Sequence, residues 1–399
     1  MNKTRRFPAA LGLTLIALLV VATAVGAGFM ASRGGAGDVA TQAHGTEATS
    51  EEKAPHATPT AASSVVEESA PDGEAGHELI YAEFGRSADR IMAFDPESGD
   101  ERELASVPHA ESWGITGGVS SRGDVAFLAL PELNIANMDL AAASSAELWA
   151  IVDGELSPLA SGFDLRSPPE WSPDGSAVAV QTINYSPDFS AAAASITLVE
   201  LDGSTRTLVE RDSLLTIEVV GFSADGDSLY FAEKAVGGST LIKRVSTSGG
   251  EASTITEGDD FIEYVSWTVS GEQLAAVVLD GSGDLGRKVV IVGLNDGRRS
   301  DALSGATLSP AWRGEELSVG LAGGDGRGVV VSGTDAEREL AAASGGFDAP
   351  RFWSRDGALL ALLHFGEFPP QRSGTPIVLL EDGERLSVPA SEVTLFGWR

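Results

Sequence analysis

Carboxylates are the most abundant reactive side chains in this 399-residue chain, which has 58 Asp and Glu, five His and no Cys. Without cysteine there can be no disulfide framework, thiolate metal site, cysteine nucleophile or lipid-modified N-terminal cysteine. Adjacent acids such as Asp259-Asp260 and Glu315-Glu316 have the composition of a general acid–base pair. At this density of acids, however, such neighbours arise by chance. Asp280-Gly281-Ser282-Gly283-Asp284 offers hard oxygens to Ca²⁺ but lacks the further acidic ligands of an EF-type loop, and reads as a hairpin. His44 and His56 lie in a polar stretch. His109 follows Pro108 and reads as a solvated loop residue, whereas His364 ends an apolar run and reads as structural. No Gly-x-Ser-x-Gly elbow, His-Glu-x-x-His or Gly-rich phosphate loop occurs. The expectation is therefore no catalytic residue, no metal site and no cofactor.

Recognition is the other chemistry these residues can perform. Aromatic and arginine side chains dominate contact hot spots, and the candidates are Arg86, Asn134, Met138, Tyr185, Phe189, Phe365, Phe368 and Arg372. They are far apart in the chain, so only a particular architecture can gather them on one surface.

A repeat supplies that architecture. Trp171-Ser-Pro-Asp-Gly175, Phe222-Ser-Ala-Asp-Gly226 and Trp353-Ser-Arg-Asp-Gly357 each precede a short apolar strand, and looser copies begin at Val119, Trp267 and Trp312. The seventh aromatic is Trp398. The slots at 119, 171, 222, 267, 312, 353 and 398 recur at about 45 residues, the period of four-stranded propeller blades. In each unit an inner strand ends at the aromatic, a Ser-x-Asp-Gly-type turn reverses it, and a second Gly turn separates strands three and four. Asp153-Gly154, Asp202-Gly203, Gly249-Gly250, Asp296-Gly297 and Asp382-Gly383 are those second turns; Asx-Gly pairs supply the positive φ that tight hairpins need. The slot aromatics read as inter-blade packing. Strands at 79–82, 90–94 and 103–105 lack an inner partner, and 393–398 supplies it, so both ends of the chain are predicted to share one sheet and close the ring.

Pro169-Glu-Trp-Ser-Pro-Asp-Gly175, and Pro350 to Gly357 with one insertion, resemble the repeat of the TolB-type, WD-repeat-like β-propeller family. The resemblance covers residues 77–399 and implies an all-β propeller; the repeat count makes it seven-bladed, one blade more than the family's namesake, and the resemblance says little about function. In such a ring the loops after strands two and four share one face. The long loops 131–146, 185–194 and 366–374 then fall on an arc formed by blades seven, one, two and three, and this arc carries the candidate contact residues.

Residues 1–6 form a basic stub. The uncharged run 7–32 would rise roughly 39 Å as a helix at ~1.5 Å per residue, enough for a transmembrane signal anchor; a cleaved signal peptide is the alternative. The basic flank places the stub in the cytoplasm and the propeller outside. Residues 33–76, rich in Ala, Gly, Ser, Thr, Glu and Pro, read as a disordered linker. A net charge of −31 opposes binding to nucleic acid. The expectation is a monomeric, membrane-anchored, non-catalytic binding or scaffold module of the cell envelope, whose partner is an envelope protein or glycan. The alternative is an envelope hydrolase or lyase acting on carbohydrate or peptide through carboxylates at the channel mouth.

Overall fold

The computed structural model describes residues 77–399, apart from 134–137, 187–191, 213–215, 235–239, 257–262, 280–286, 306–308, 322–327, 334–335, 337, 344 and 367–373. The predicted anchor and linker, and the Asp259-Asp260 and Asp280–Asp284 segments, therefore lie outside the described residues. Among the described residues no helix is long and apolar enough to cross a membrane.

These residues build seven four-stranded antiparallel sheets. In blade 4 the order from axis to rim is Thr216–Phe222, Ser228–Lys234, Thr240–Ser246 and Ser253–Thr256. Each inner strand touches the inner strands of the blades before and after it, and that of blade 1 touches that of blade 2, so the ring is closed. The clasp is in blade 1. Its inner strand, Val393–Trp398, pairs with Leu79–Glu83 through Leu79↔Trp398 and Ile80↔Gly397. Beyond it, Arg399 and Glu78 exchange two backbone hydrogen bonds of 3.0 Å. The Glu78 carboxylate also accepts from Arg399 Nε at 2.7 Å and Arg102 Nη2 at 2.8 Å.

The core lies between blades rather than within one. Along Ala177–Tyr185 of blade 3, Ala177 and Ala179 pack into a cluster with Phe222, Leu229 and Phe231 of blade 4. Val178 and Val180 face the other way, against Ala126 and Leu128 of blade 2. Alternation of side chains across a strand therefore serves two apolar interfaces, which explains why these strands read as continuous apolar runs. The slot tryptophans stitch the same interfaces. The indole N–H donates to the preceding blade's backbone from Trp171 to Gly118 O (3.1 Å), from Trp312 to Thr268 O (3.2 Å) and from Trp398 to Phe352 O (3.0 Å).

The turn after the slot differs between blades. In blades 3, 4 and 7 the serine hydroxyl accepts the backbone N–H five residues on and donates to the aspartate, as in Ala177 N to Ser172 Oγ (3.0 Å) and Ser172 Oγ to Asp174 Oδ1 (2.7 Å). Blades 5 and 6 depart from the expected Ser-x-Asp-Gly turn. They lack that Ser/Asp pair and close with two-residue hairpins, pairing Ser270↔Gln273 and Arg313↔Glu316. A two-residue hairpin needs no side-chain cap. The second turns match the prediction; Asp153 (φ 50°) and Gly154 (φ 79°) both adopt the left-handed conformation required by the pairing Val152↔Glu155.

Candidate functional site

The face opposite the serine turns carries the inter-blade crossings. At the junction of blades 1 and 2, residues 84–87 and 109–114 lie side by side, joined by His109 N to Ser87 O (2.9 Å) and Ser112 N to Arg86 O (2.8 Å). Phe84 N donates to Glu392 O (2.9 Å), and Ala110 N to Leu130 O (2.8 Å), tying this platform to both neighbouring crossings. Beneath it Asp89, 2% exposed, accepts from Gly85 N, Ile115 N and His109 Nε2 at 2.8, 2.8 and 2.9 Å. His109 is therefore buried and bonded, not solvated as the sequence suggested: the residue after Pro108 turns inward to meet a carboxylate that the sequence pattern did not flag. Burial lowers its pKa, but the Asp89 hydrogen bond and the Ala110 carbonyl more than offset this and leave the imidazole above its ordinary value.

Phe84 stacks over this buried imidazole, with ring centroids 6.3 Å apart, and is the one large hydrophobic side chain that stands exposed among the described residues, at 42%. A Cβ at Gly114 would come within 3.2 Å of the Phe84 ring, so that glycine makes room for it. Arg86 extends beside Phe84 and pairs with the exposed Glu111.

Three other predicted contact residues have partners inside the protein. Met138 begins a short helix, α1 (Met138–Ser144), inside the predicted 131–146 loop and packs on the core between blades 2 and 3. Tyr185 ends a strand and pairs with Ala192, so the expected 185–194 loop is strand at both ends. Its side chain shares Arg166 with the buried Asp164, which receives Arg166 Nε and Nη2 at 2.7 Å. Phe365 stacks on the buried Phe347 with centroids 5.2 Å apart. His364 is structural, as expected, with Nδ1 2.7 Å from the buried Asp348, which also accepts from Arg385. Asn134, Phe189, Phe368 and Arg372 lie outside the described residues.

On the axial side, the inner strands of blades 3 and 7 carry Glu170 and Arg351. Burial raises the Glu170 carboxyl to about 7, and burial also lowers the Arg351 guanidinium. Sequence reading missed four residues: Phe84, Asp89, Glu170 and Arg351. Phe84 lies two residues before the chosen Arg86. Glu170 and Arg351 lie one and two residues before slot tryptophans, where aligning the repeats would have shown them as the charged exceptions.

No family model matches the chain, and no curated protein sequence matches it. Among solved structures it resembles a protein from a study of two prolyl endopeptidases (16% identity, TM-score 0.57), over 82% of this chain and 50% of that one. It resembles the acylaminoacyl peptidase of Pyrococcus horikoshii at 15% identity and TM-score 0.53, over 80% of this chain and 52% of that one. TolB from Acinetobacter baumannii aligns at 15% identity and TM-score 0.46, over 81% of this chain and 66% of that one. The chain thus spans about half the length of the peptidases it matches. At these identities the likeness establishes the fold alone: an all-β, seven-bladed propeller.

Proposed function

We propose that the protein is a non-catalytic binding or scaffold module of the cell envelope, displayed outside the membrane by its N-terminal anchor and linker. Its contact surface is the crossing face, centred on the junction of blades 1 and 2. The observation that carries this reading is Phe84, an exposed aromatic held rigid from below by a buried His–Asp pair and flanked by a charged Arg–Glu pair. A rigid aromatic anchor with a polar rim is the composition of a binding hot spot, and its fixed geometry reduces the ordering entropy lost on association. The partner class is an envelope protein or glycan. The test is photo-crosslinking in the native envelope with the probe at position 84, against a control probe at Asp225 on the opposite face. A discrete adduct from position 84 alone, lost in competition with untagged protein, supports the reading. Equal adducts from both faces, or none from position 84, overturn it.

A further inference from the structure

Among the described residues, Glu170 and Arg351 are the ionisable side chains at their level of the inner strands. The seven inner strands touch in sequence around one axis, so together they line the channel. One level above the slot aromatics, four of them carry the small residues Gly118, Gly221, Ala311 and Gly397; a Cβ at Gly118, Gly221 or Gly397 would meet the next blade at 3.1–3.3 Å, so these three let the blades approach closely. Glu170 directly precedes Trp171. Arg351 stands two residues before Trp353, but the register slips by one between Pro350 and Phe352, bringing it to about the same height. Around the ring, two inner strands separate blade 7 from blade 3 on one side and three on the other. The two charges are as nearly opposite as a ring of seven allows.

Among the described residues neither charge meets an opposite charge. The Glu170 carboxylate has no hydrogen bond or ion pair with them, and burial raises it. Arg351 donates Nη1 to Ser309 Oγ at 2.8 Å and lies 5.8 Å from the Phe352 ring centroid; of the five N–H donors of a guanidinium, one is engaged. Both side chains remain partly open to solvent although they sit deep in the ring, as expected for groups facing a wet channel. In a chain with 58 acids and 27 bases, an interior arginine without a carboxylate is a position where the counter-charge is missing.

We propose that the channel binds a small zwitterion at this level: an amino-carboxylate whose oxyanion seats on Arg351 and Ser309 and whose amine faces Glu170. Such a ligand satisfies both walls together, which neither a plain anion nor a plain cation does.

The test is thermal unfolding of the full-length protein titrated at constant ionic strength with glycine, γ-aminobutyrate and ε-aminocaproate. Succinate and putrescine serve as ligands of one charge type. A ligand that binds only the native state raises the Tm by mass action. The expected result is a Tm rise from the zwitterion whose length fits the channel, with little from the two controls. The rise should be abolished by Arg351→Gln, partly recovered by Arg351→Lys and grow as pH climbs through about 7, where Glu170 becomes charged. Glu170→Gln should weaken apparent affinity about tenfold, the loss expected for one charge-assisted hydrogen bond. Should Arg351→Gln fail to fold, Ser309→Ala provides the weakened oxyanion seat. Phe84→Ala should leave the rise intact, which separates this site from the crossing face. No Tm rise with any zwitterion, an equal rise with succinate, or a rise that survives both Arg351→Gln and Glu170→Gln overturns the proposal.

Discussion

The turn face and the channel treat the same functional group in opposite ways. On the turn face, Asp174, Asp225 and Asp356 each accept a serine hydroxyl at 2.6–2.7 Å and a backbone N–H at 3.0–3.1 Å. These bonds hold all three carboxyls below their ordinary range. On the inner strand of blade 3, the Glu170 carboxylate accepts no hydrogen bond from the described residues and is held above its range by burial. A net charge of −31 is therefore no guide to which acid acts. The informative difference is whether a local donor already occupies the carboxylate, because an acid engaged by its own turn is structural and an acid left open in a confined space is available to a ligand.

Four substitutions break or sharpen that contrast. Trp398→Ala removes the closing slot and its bond to Phe352 O; a loss of about 3–5 kcal/mol, measured by urea unfolding, is expected, and both faces should lose their order together. Asp89→Ala leaves Gly85 N, Ile115 N and His109 without their acceptor, and a cost of about 2–4 kcal/mol is expected from unsatisfied buried donors. In the parent protein the raised His109 contributes stability fully present below pH 6.5 and lost as pH climbs through its folded value. Unfolding of Asp89→Ala should lack that descent.

Glu170→Gln should act with the opposite sign. In the unfolded chain this carboxyl ionises near 4.5 and in the folded ring near 7, so the parent loses stability as pH rises between those values. At ~1.4 kcal/mol per pKa unit, the rise from 4.5 to about 7 caps the gain above pH 7 at about 3 kcal/mol, and no gain is expected below pH 4.5. Asp174→Ala is the mildest case. Its carboxylate is solvent-exposed, so the loss should stay below about 1 kcal/mol. That contribution is present above pH 3.8 and fades as pH falls through the depressed folded value. A larger penalty for Asp174→Ala than for Asp89→Ala would dissolve the distinction drawn here.

The ring was legible in the sequence because each blade repeats one solution to one problem. A slot aromatic reaches the blade before it, and an apolar strand packs on both sides, so Trp171, Phe222 and Trp353 announce themselves through period and flanking turns. The closure was legible for the same reason: Leu79–Glu83 lacked an inner neighbour and Val393–Trp398 had no blade of its own. The site was far less legible. Asp89, at the start of the strand Ala88–Phe94, meets His109, 20 residues on in a crossing, and no local pattern signals such a pair. Met138, Tyr185 and Phe365 were chosen by composition, yet each is occupied by helix, arginine or ring packing. Composition identifies side chains able to make contacts; only tertiary placement decides whether those contacts are internal.

The position of the chain's entry has a mechanical consequence. Residue 77 enters at the turn face, where His77 Nε2 lies 3.2 Å from Asp356 Oδ2, and leads directly into Leu79–Glu83, which is flanked by paired strands on both sides. Tension arriving from the N-terminal side therefore pulls this strand lengthwise between two neighbours, so that all its rungs share the force at once instead of parting one after another. A lengthwise load of this kind is resisted better than peeling, and it leaves the crossing face pointing away from the direction of pull.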